Sequence, residues 1–313
     1  MSTGSPQADR RLEIALALLS DGDGEAAAEA VRAALELAPD HPELYHTLAS
    51  ALEAAGRPAE AVRAYERYLA LDPADHFGAS VRLSLLGARP MPEVLPEAYV
   101  RRLFDQFAPR FDRSLLTRLD YSAPALLRAA VEEVRGAARP PLRVLDLGCG
   151  TGLAGAALRD LAVWLEGIDL SPAMLAKARE RRVYDALVME EATAALEARH
   201  AAFDLIVAAD VLVYIGEIAP LLVAAAATLV PGGLIAFTLE RSAEPGVYLQ
   251  PTHRYAHHPA DVAARCAAAG LETLRLAPVS YRQEAGQPVP GLLVVARKPG
   301  ELEALDSLAD VQR

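Results

Sequence analysis

The chain has 313 residues, a formal net charge of −11, 52% hydrophobic residues and only 5% aromatics. That length fits one large α/β domain plus a small module, and the apolar fraction excludes wholesale disorder. The acidic balance argues against a nucleic-acid substrate, which needs a basic face. Two cysteines, Cys149 and Cys266, are too few for a disulfide framework.

The first ninety residues repeat with an offset of 34. Gly22 pairs with Gly56, Ala27 with Ala61, Ala30 with Ala64, Leu35 with Leu69, Leu37 with Leu71 and Pro39 with Pro73. Such a period belongs to helix–turn–helix units in which small residues let paired helices approach and proline closes the unit. The second copy, with Tyr45, Leu48, Ala49, Leu52, Ala61, Tyr65 and Pro73, resembles the tetratricopeptide repeat; the first is weaker, with Arg11 where a large apolar residue is expected. A capping helix is expected over about His76 to Leu86. So small a block is expected to lean on the rest of the protein, either as a partner-binding groove or as a packing or dimerisation module. The helical domain is set at 8–86 and a proline-rich linker at 87–98, where Pro90, Pro92 and Pro96 forbid continuous helix.

From 99 to 300 the pattern alternates between short apolar strands and helices. An amphipathic stretch holds Phe104, Phe107 and Phe111, and a helix follows from about Pro124 to Val134. Strands are predicted at Arg143 to Leu147, Val163 to Ile168, Ala186 to Met189, Asp204 to Ala208 and Leu234 to Thr238. A closing strand pair is expected at Thr273 to Pro278 and Leu292 to Arg297. Alternation of this kind predicts an α/β fold with a mainly parallel sheet and helices on both faces. The run Leu221 to Val230 reads as a buried helix, too short to cross a membrane. The first ten residues lack the basic-then-apolar order of a signal peptide, and a soluble, cytoplasmic chain is the expectation. Residues 301–313 form a C-terminal tail.

The first strand runs directly into Asp146-Leu-Gly-Cys-Gly-Thr-Gly152. Glycines between a strand end and a helix N-terminus let backbone approach a ligand that a Cβ would block. The turn also satisfies G-x-G-x-x-G through Gly150 and Gly155, so a dinucleotide remains open at this point. Asp169, at the end of the next strand, suits a pair of ribose hydroxyls in either case. Asp146 favours a ligand bearing an ammonium, which NAD lacks.

Taken together, these pieces resemble the class I S-adenosylmethionine-dependent methyltransferases. The resemblance rests on Asp146 to Gly152, on Gly167-Ile-Asp-Leu-Ser-Pro-Ala-Met174, on Phe203 to Tyr214 and on Leu229-Val-Pro-Gly-Gly233. Phe104-Asp-Gln-Phe-Ala-Pro-Arg-Phe-Asp112 is similar to the segment that forms a lid over the cofactor in many members. With its repeats, the whole chain resembles predicted bacterial methyltransferases carrying an N-terminal tetratricopeptide (TPR) block. The resemblance implies a Rossmann-like seven-stranded sheet and S-adenosyl-L-methionine as cofactor. It implies cofactor contacts from Asp146, Gly148, Gly150, Gly152, Asp169, Met174, Glu191 and Asp210. The Asn/Asp-Pro-Pro-Tyr tetrapeptide of amide and nucleobase N-methyltransferases is missing after the fourth strand. This departure shifts the expectation to O-methylation of a small or carrier-bound acceptor.

Acceptor-side candidates lie in Tyr248 to His258. His253 is a possible base, Arg254 a cation, and Tyr255 and Tyr214 complete the expected catalytic group. Arg282, in Tyr281-Arg-Gln-Glu284, either holds a carboxylate or pairs with Glu284 on the surface. No metal is expected, because His253, His257 and His258 lack cysteine or carboxylate companions at ligand spacing. A cofactor-binding scaffold without catalysis, and an NAD-dependent oxidoreductase, are the rival readings.

Overall fold

The structure, a computed structural model, describes residues 2–136 and 140–300; the predicted tail at 301–313 lies outside the described residues. The chain divides into two compact units, one up to Arg102 and one from Leu103 on, a boundary inside the helix Glu97–Phe107.

The first unit is all-helical. Its helices are α1 (Pro6–Ser20), α2 (Gly24–Leu35), α3 (Pro42–Ala54), α4 (Pro58–Leu71) and α5 (Ala79–Leu85). Each start is written in the sequence. Ser5 and Asp23 accept backbone amides as N-caps, and proline sits in the first turn of α1, α3 and α4. The small residues of the repeat meet in one core, where Ala27, Ala28, Ala49, Ala61 and Ala64 pack around Leu52, Tyr65 and Tyr68. Arg11 does not fill the interface of the first repeat. Leu12 does, while the Arg11 guanidinium donates to the Ala33 carbonyl near the end of α2.

After α6 (Glu97–Phe107), the second unit continues through α7 (Phe111–Arg118) and α8 (Ala123–Arg135) into the sheet. Its strands are β1 (Leu142–Leu147), β2 (Ala162–Asp169), β3 (Ala186–Met189), β4 (Phe203–Ala208), β5 (Leu229–Arg241), β6 (Val247–Leu249), β7 (Tyr255–His257), β8 (Glu272–Val279), β9 (Gln283–Glu284), β10 (Gln287–Pro288) and β11 (Gly291–Arg297). Interleaved with them are α9 (Leu153–Leu158), α10 (Pro172–Arg181), α11 (Ala192–Glu197), α12 (Ala219–Thr228) and α13 (Pro259–Ala268). The main sheet runs β3-β2-β1-β4-β5-β11-β8. Strands β1 to β5 pair in parallel, whereas β11 is antiparallel to both β5 and β8. The hairpin β9–β10 turns the chain between β8 and β11.

Strand alternation builds two cores. Leu145, Leu147, Ile206, Ala208 and Phe237 face one side with α11, α12 and α13. Val144, Leu205, Val207 and Ala236 face the other with α8 and α9. Residues one apart thus point to opposite covered faces, which is why these strands read as nearly continuous apolar runs. The predicted strands recur with small shifts, except that β5 is much longer than Leu234 to Thr238. Its end, Glu240 and Arg241, pairs with β7, and β6 pairs with β7 in turn. Among the described residues no helix is long and apolar enough to cross a membrane.

Candidate functional site

The strand order reverses direction between β1 and β4, so a crevice opens at their carboxyl ends. The turn after β1 fills it with backbone. Gly148, Gly150 and Gly152 have φ of +67°, +54° and +90°. At Gly148 the need for glycine is double, because an added Cβ would also lie 2.4 Å from Val211 Cγ2.

Two carboxylates flank the turn. Asp146 is 1% exposed; its Oδ2 accepts the Tyr184 hydroxyl at 2.6 Å, and Oδ1 is buried with no partner among the described residues. Burial pushes its pKa up to about 7, against the Tyr184 hydrogen bond. Asp169 accepts the Gly150 amide on Oδ2 and the Ser171 amide on Oδ1, each at 2.8 Å. Burial raises it to about 6, with both amides opposing. A glycine cradle and a partnerless buried carboxylate oxygen fit a ligand that brings an ammonium group. Asp146, the glycines and Asp169 are the residues that would hold S-adenosylmethionine.

Segment 104–112 crosses the same strand ends. Asp105 accepts the Ser171 hydroxyl, Asp112 accepts the Thr151 hydroxyl and pairs with Arg181, and Phe104 meets Tyr214 edge-on at 5.4 Å.

Beyond β4 lies a second cluster. Asp210, in a left-handed conformation at φ +61°, accepts the Tyr281 hydroxyl at 2.9 Å and pairs with Arg282 at 2.5 Å. Arg282 is 1% exposed and also pairs with Glu240; the expected pairing with Glu284 is present at 3.6 Å, but the guanidinium is buried and not at the surface. Arg254 pairs with Glu284 and lies 3.7 Å from Glu240. Charge coupling and hydrogen bonding to Arg254 place Tyr214 in the same cluster. Asp210 therefore stands with the arginines, not with the glycine turn.

Several expected roles need correction. Met174 is fully buried on the inner face of α10, leaving no surface for a nucleoside. Tyr255 is likewise fully buried, in β7, so its ring is core and not catalyst. The segment from Tyr248 to His258 forms a hairpin, in which β6 and β7 pair antiparallel. His257 is buried, its Nε2 lies 3.1 Å from the Ile215 carbonyl, and burial lowers its pKa to about 4. His253 occupies the hairpin turn at φ +59°. Glu191 caps α11 by accepting the Ala194 amide at 2.8 Å, which gives its carboxylate a structural task. Sequence reasoning missed Tyr184 and Tyr121. Tyr121, before α8, is electrostatically coupled to Asp210, Arg282, Asp146 and Tyr214. Neither tyrosine sits in a motif, and only the fold brings them to the crevice.

Comparison with known proteins agrees with this geometry. Residues 145–235 match the methyltransferase domain family and residues 18–79 the tetratricopeptide repeat family. The chain is 34% identical over 174 residues to trans-aconitate 2-methyltransferase of Methylobacterium nodulans, covering 51% of this chain and 65% of that protein. It is 32% identical over 158 residues to ubiquinone biosynthesis O-methyltransferase of Aromatoleum aromaticum, covering 44% of this chain and 68% of the relative. The chain thus spans about two thirds of the length of these curated relatives. Among solved structures, 1,6-didemethyltoxoflavin-N1-methyltransferase of Burkholderia thailandensis, holding S-adenosylhomocysteine, matches with TM-score 0.52 at 20% identity over 67% of this chain and 93% of that one. The cyclase SpnF matches with TM-score 0.54 at 22% identity, over 64% and 95%. These two likenesses speak for the fold alone.

Fold and crevice define a class I nucleoside-binding α/β protein. The chain belongs to the S-adenosylmethionine-dependent methyltransferases, preceded by tetratricopeptide repeats.

Proposed function

We propose that this chain transfers the methyl group of S-adenosylmethionine to an oxygen of a small or carrier-bound acceptor. The observation that carries the reading is the pairing of the glycine turn, with Asp146 and Asp169 at its ends, to the Asp210–Arg282–Arg254–Tyr214 cluster beyond β4. The relatives' names support oxygen as the nucleophile, since one is an O-methyltransferase. The residues after β4 support it too, because Ala209-Asp210-Val211-Leu212 replaces the tetrapeptide of amide methylation.

The cofactor supplies an electrophilic methyl carbon on a sulfonium. In-line displacement then needs alignment above all, and a base only where the acceptor must lose a proton. Asp146 and Asp169 orient the two ends of the cofactor. Phe104 and Phe111 exclude water above the turn. Tyr214 and Asp210 line the acceptor side, and His253 takes the acceptor proton beside Arg254. Both arginines already face carboxylates, so they order the cluster and contribute little free positive charge.

The repeats dock a protein partner or a second copy. Within the first unit a cavity of about 520 Å³, lined by Glu66, Leu69, Asp75, Ser80, Arg89 and Pro96, offers both apolar and charged contacts for such a partner.

The test is release of S-adenosylhomocysteine from the full chain against a library of hydroxylated metabolites. Turnover with a phenol or alcohol that is lost in Asp169→Ala supports the reading. Turnover confined to amines or thiols refutes oxygen as the acceptor atom.

A further inference from the structure

Tyr184 lies in the turn between α10 and β3, outside every motif of the sequence. Its hydroxyl donates to Asp146 Oδ2 at 2.6 Å. Its ring occupies space that side chains elsewhere would claim. A Cβ on Gly155 would come within 2.3 Å of it, one on Gly167 within 2.8 Å and one on Gly152 within 3.0 Å. Glycines from the turn, from the first turn of α9 and from β2 thus seat one aromatic ring beneath the strand end. The other Asp146 oxygen, Oδ1, is left buried and without a partner among the described residues.

We propose that Tyr184 is a positioning residue of the cofactor site, gripping Asp146 Oδ2 so that Oδ1 meets the ammonium of the methionine moiety, directly or through water. The inference rests on the assignment of the glycine turn to S-adenosylmethionine. The groups that face Asp146 are Tyr184, Cys149 in the glycine turn, Asp169 at the end of β2 and Tyr121 before α8, with the Gly155 amide of α9. None of these is a cation, so the ammonium supplies the positive charge the carboxylate lacks. Burial already brings Asp146 up to about 7, and the Tyr184 hydroxyl is the main influence holding it down. Removing that hydroxyl raises the carboxyl further and leaves it neutral when the cation arrives.

The experiment is calorimetric titration of the full chain between pH 6 and 9 with two ligands, S-adenosylhomocysteine and 5′-methylthioadenosine, which lacks the amino-acid end. In the wild type, affinity for S-adenosylhomocysteine falls as pH drops through about 7. Tyr184→Phe weakens it on the order of tenfold at neutral pH, as loss of a hydrogen bond to a charged group does. The deficit closes toward pH 9, and 5′-methylthioadenosine binds as before. A deficit equal for both ligands and flat with pH reduces Tyr184 to packing and overturns the proposal. If the wild type binds neither ligand, the cofactor assignment itself fails. Should Tyr184→Phe not fold, Asp146→Asn decides instead. It must remove the pH dependence of S-adenosylhomocysteine binding, and a wild type with no such dependence contradicts the proposal.

Discussion

The Asp105 carboxylate accepts a hydrogen bond from the Ser171 hydroxyl at 2.5 Å and lies 3.3 Å from the Ala173 amide. It thereby closes the N-terminus of α10, which Ser171 itself caps through the Met174 amide. With Asp112 bound to Thr151 and Arg181, the segment between them is fastened over the ends of β1 and β2 at two points. Asp105→Ala removes one fastening and part of a helix cap, a loss of about 0.5–2 kcal/mol. Hydrogen exchange of amides 104–112 is expected to accelerate, with a raised KM for S-adenosylmethionine. Unchanged exchange there would show that Asp112 and the aromatic contacts suffice.

Gly148→Ala combines a left-handed backbone with a Cβ 2.4 Å from Val211. A strained position of this kind costs about 1–3 kcal/mol. Thermal melting should show the loss. Val211→Ala in the same chain should recover only part of it, because the backbone strain remains. Full recovery would locate the whole cost in the clash.

Arg282→Met leaves Asp210 and Glu240 facing each other around a buried gap, since Arg282 is 1% exposed. Breaking a buried pair from one side costs about 3–5 kcal/mol. Burial already raises Glu240, and removing the cation raises it further. The destabilisation should therefore shrink as pH falls and the Glu240 carboxyl becomes neutral. Urea unfolding at pH 8 and pH 5.5 checks this, and an equal loss at both values would contradict it.

The two candidate histidines should separate. His257→Gln is expected to lower stability, because the ring is buried against the Ile215 carbonyl, and to leave the pH–rate profile in place. His253→Ala should lower turnover and displace the acidic limb of that profile. A shifted limb in the His257 variant, with none in the His253 variant, would reverse the assignment of the base.

Asp146 also bears on stability without cofactor. Its carboxyl is raised from 3.8 to about 7 in the folded chain, so its contribution is complete below 3.8 and is lost as pH rises through about 7. Asp169, raised to about 6, acts in the same direction at lower pH. His46 and His257, lowered to about 4, act oppositely below their unfolded value of 6.5. Between pH 6.5 and 8 the two histidines still lose protons in the unfolded chain and offset part of this slope, so the comparison with Asp146→Asn isolates the carboxyl. Across that window the cofactor-free wild type should lose stability relative to Asp146→Asn as pH rises toward 8. Chemical denaturation across this window gives the result.

What the sequence reveals of this molecule follows from period and chain proximity. The repeat offset, the strands of continuous apolar residues and the glycine turn are local patterns, and β3 falls at Ala186–Met189 as predicted. Residues joined only by folding were not legible. Tyr184 reaches Asp146, and Tyr281 and Arg282 reach Asp210, through contacts distant in the chain. The histidine-rich stretch misled because its polar side chains suggested an acceptor-facing cluster. Pairing of β7 with the overhanging end of β5 buries Tyr255 and His257 instead. Met174 misled for a related reason, since a residue just inside a helix is as easily core as ligand contact.

The most direct measurement is calorimetric titration of the full chain with S-adenosylmethionine, set beside Asp169→Ala and beside NAD. The expected result is one-to-one binding by the wild type, at least tenfold weaker binding by the variant, as loss of a charge-assisted contact implies, and no heat with NAD. Equal affinity in the variant, or binding of NAD in place of S-adenosylmethionine, would contradict the assignment of the crevice.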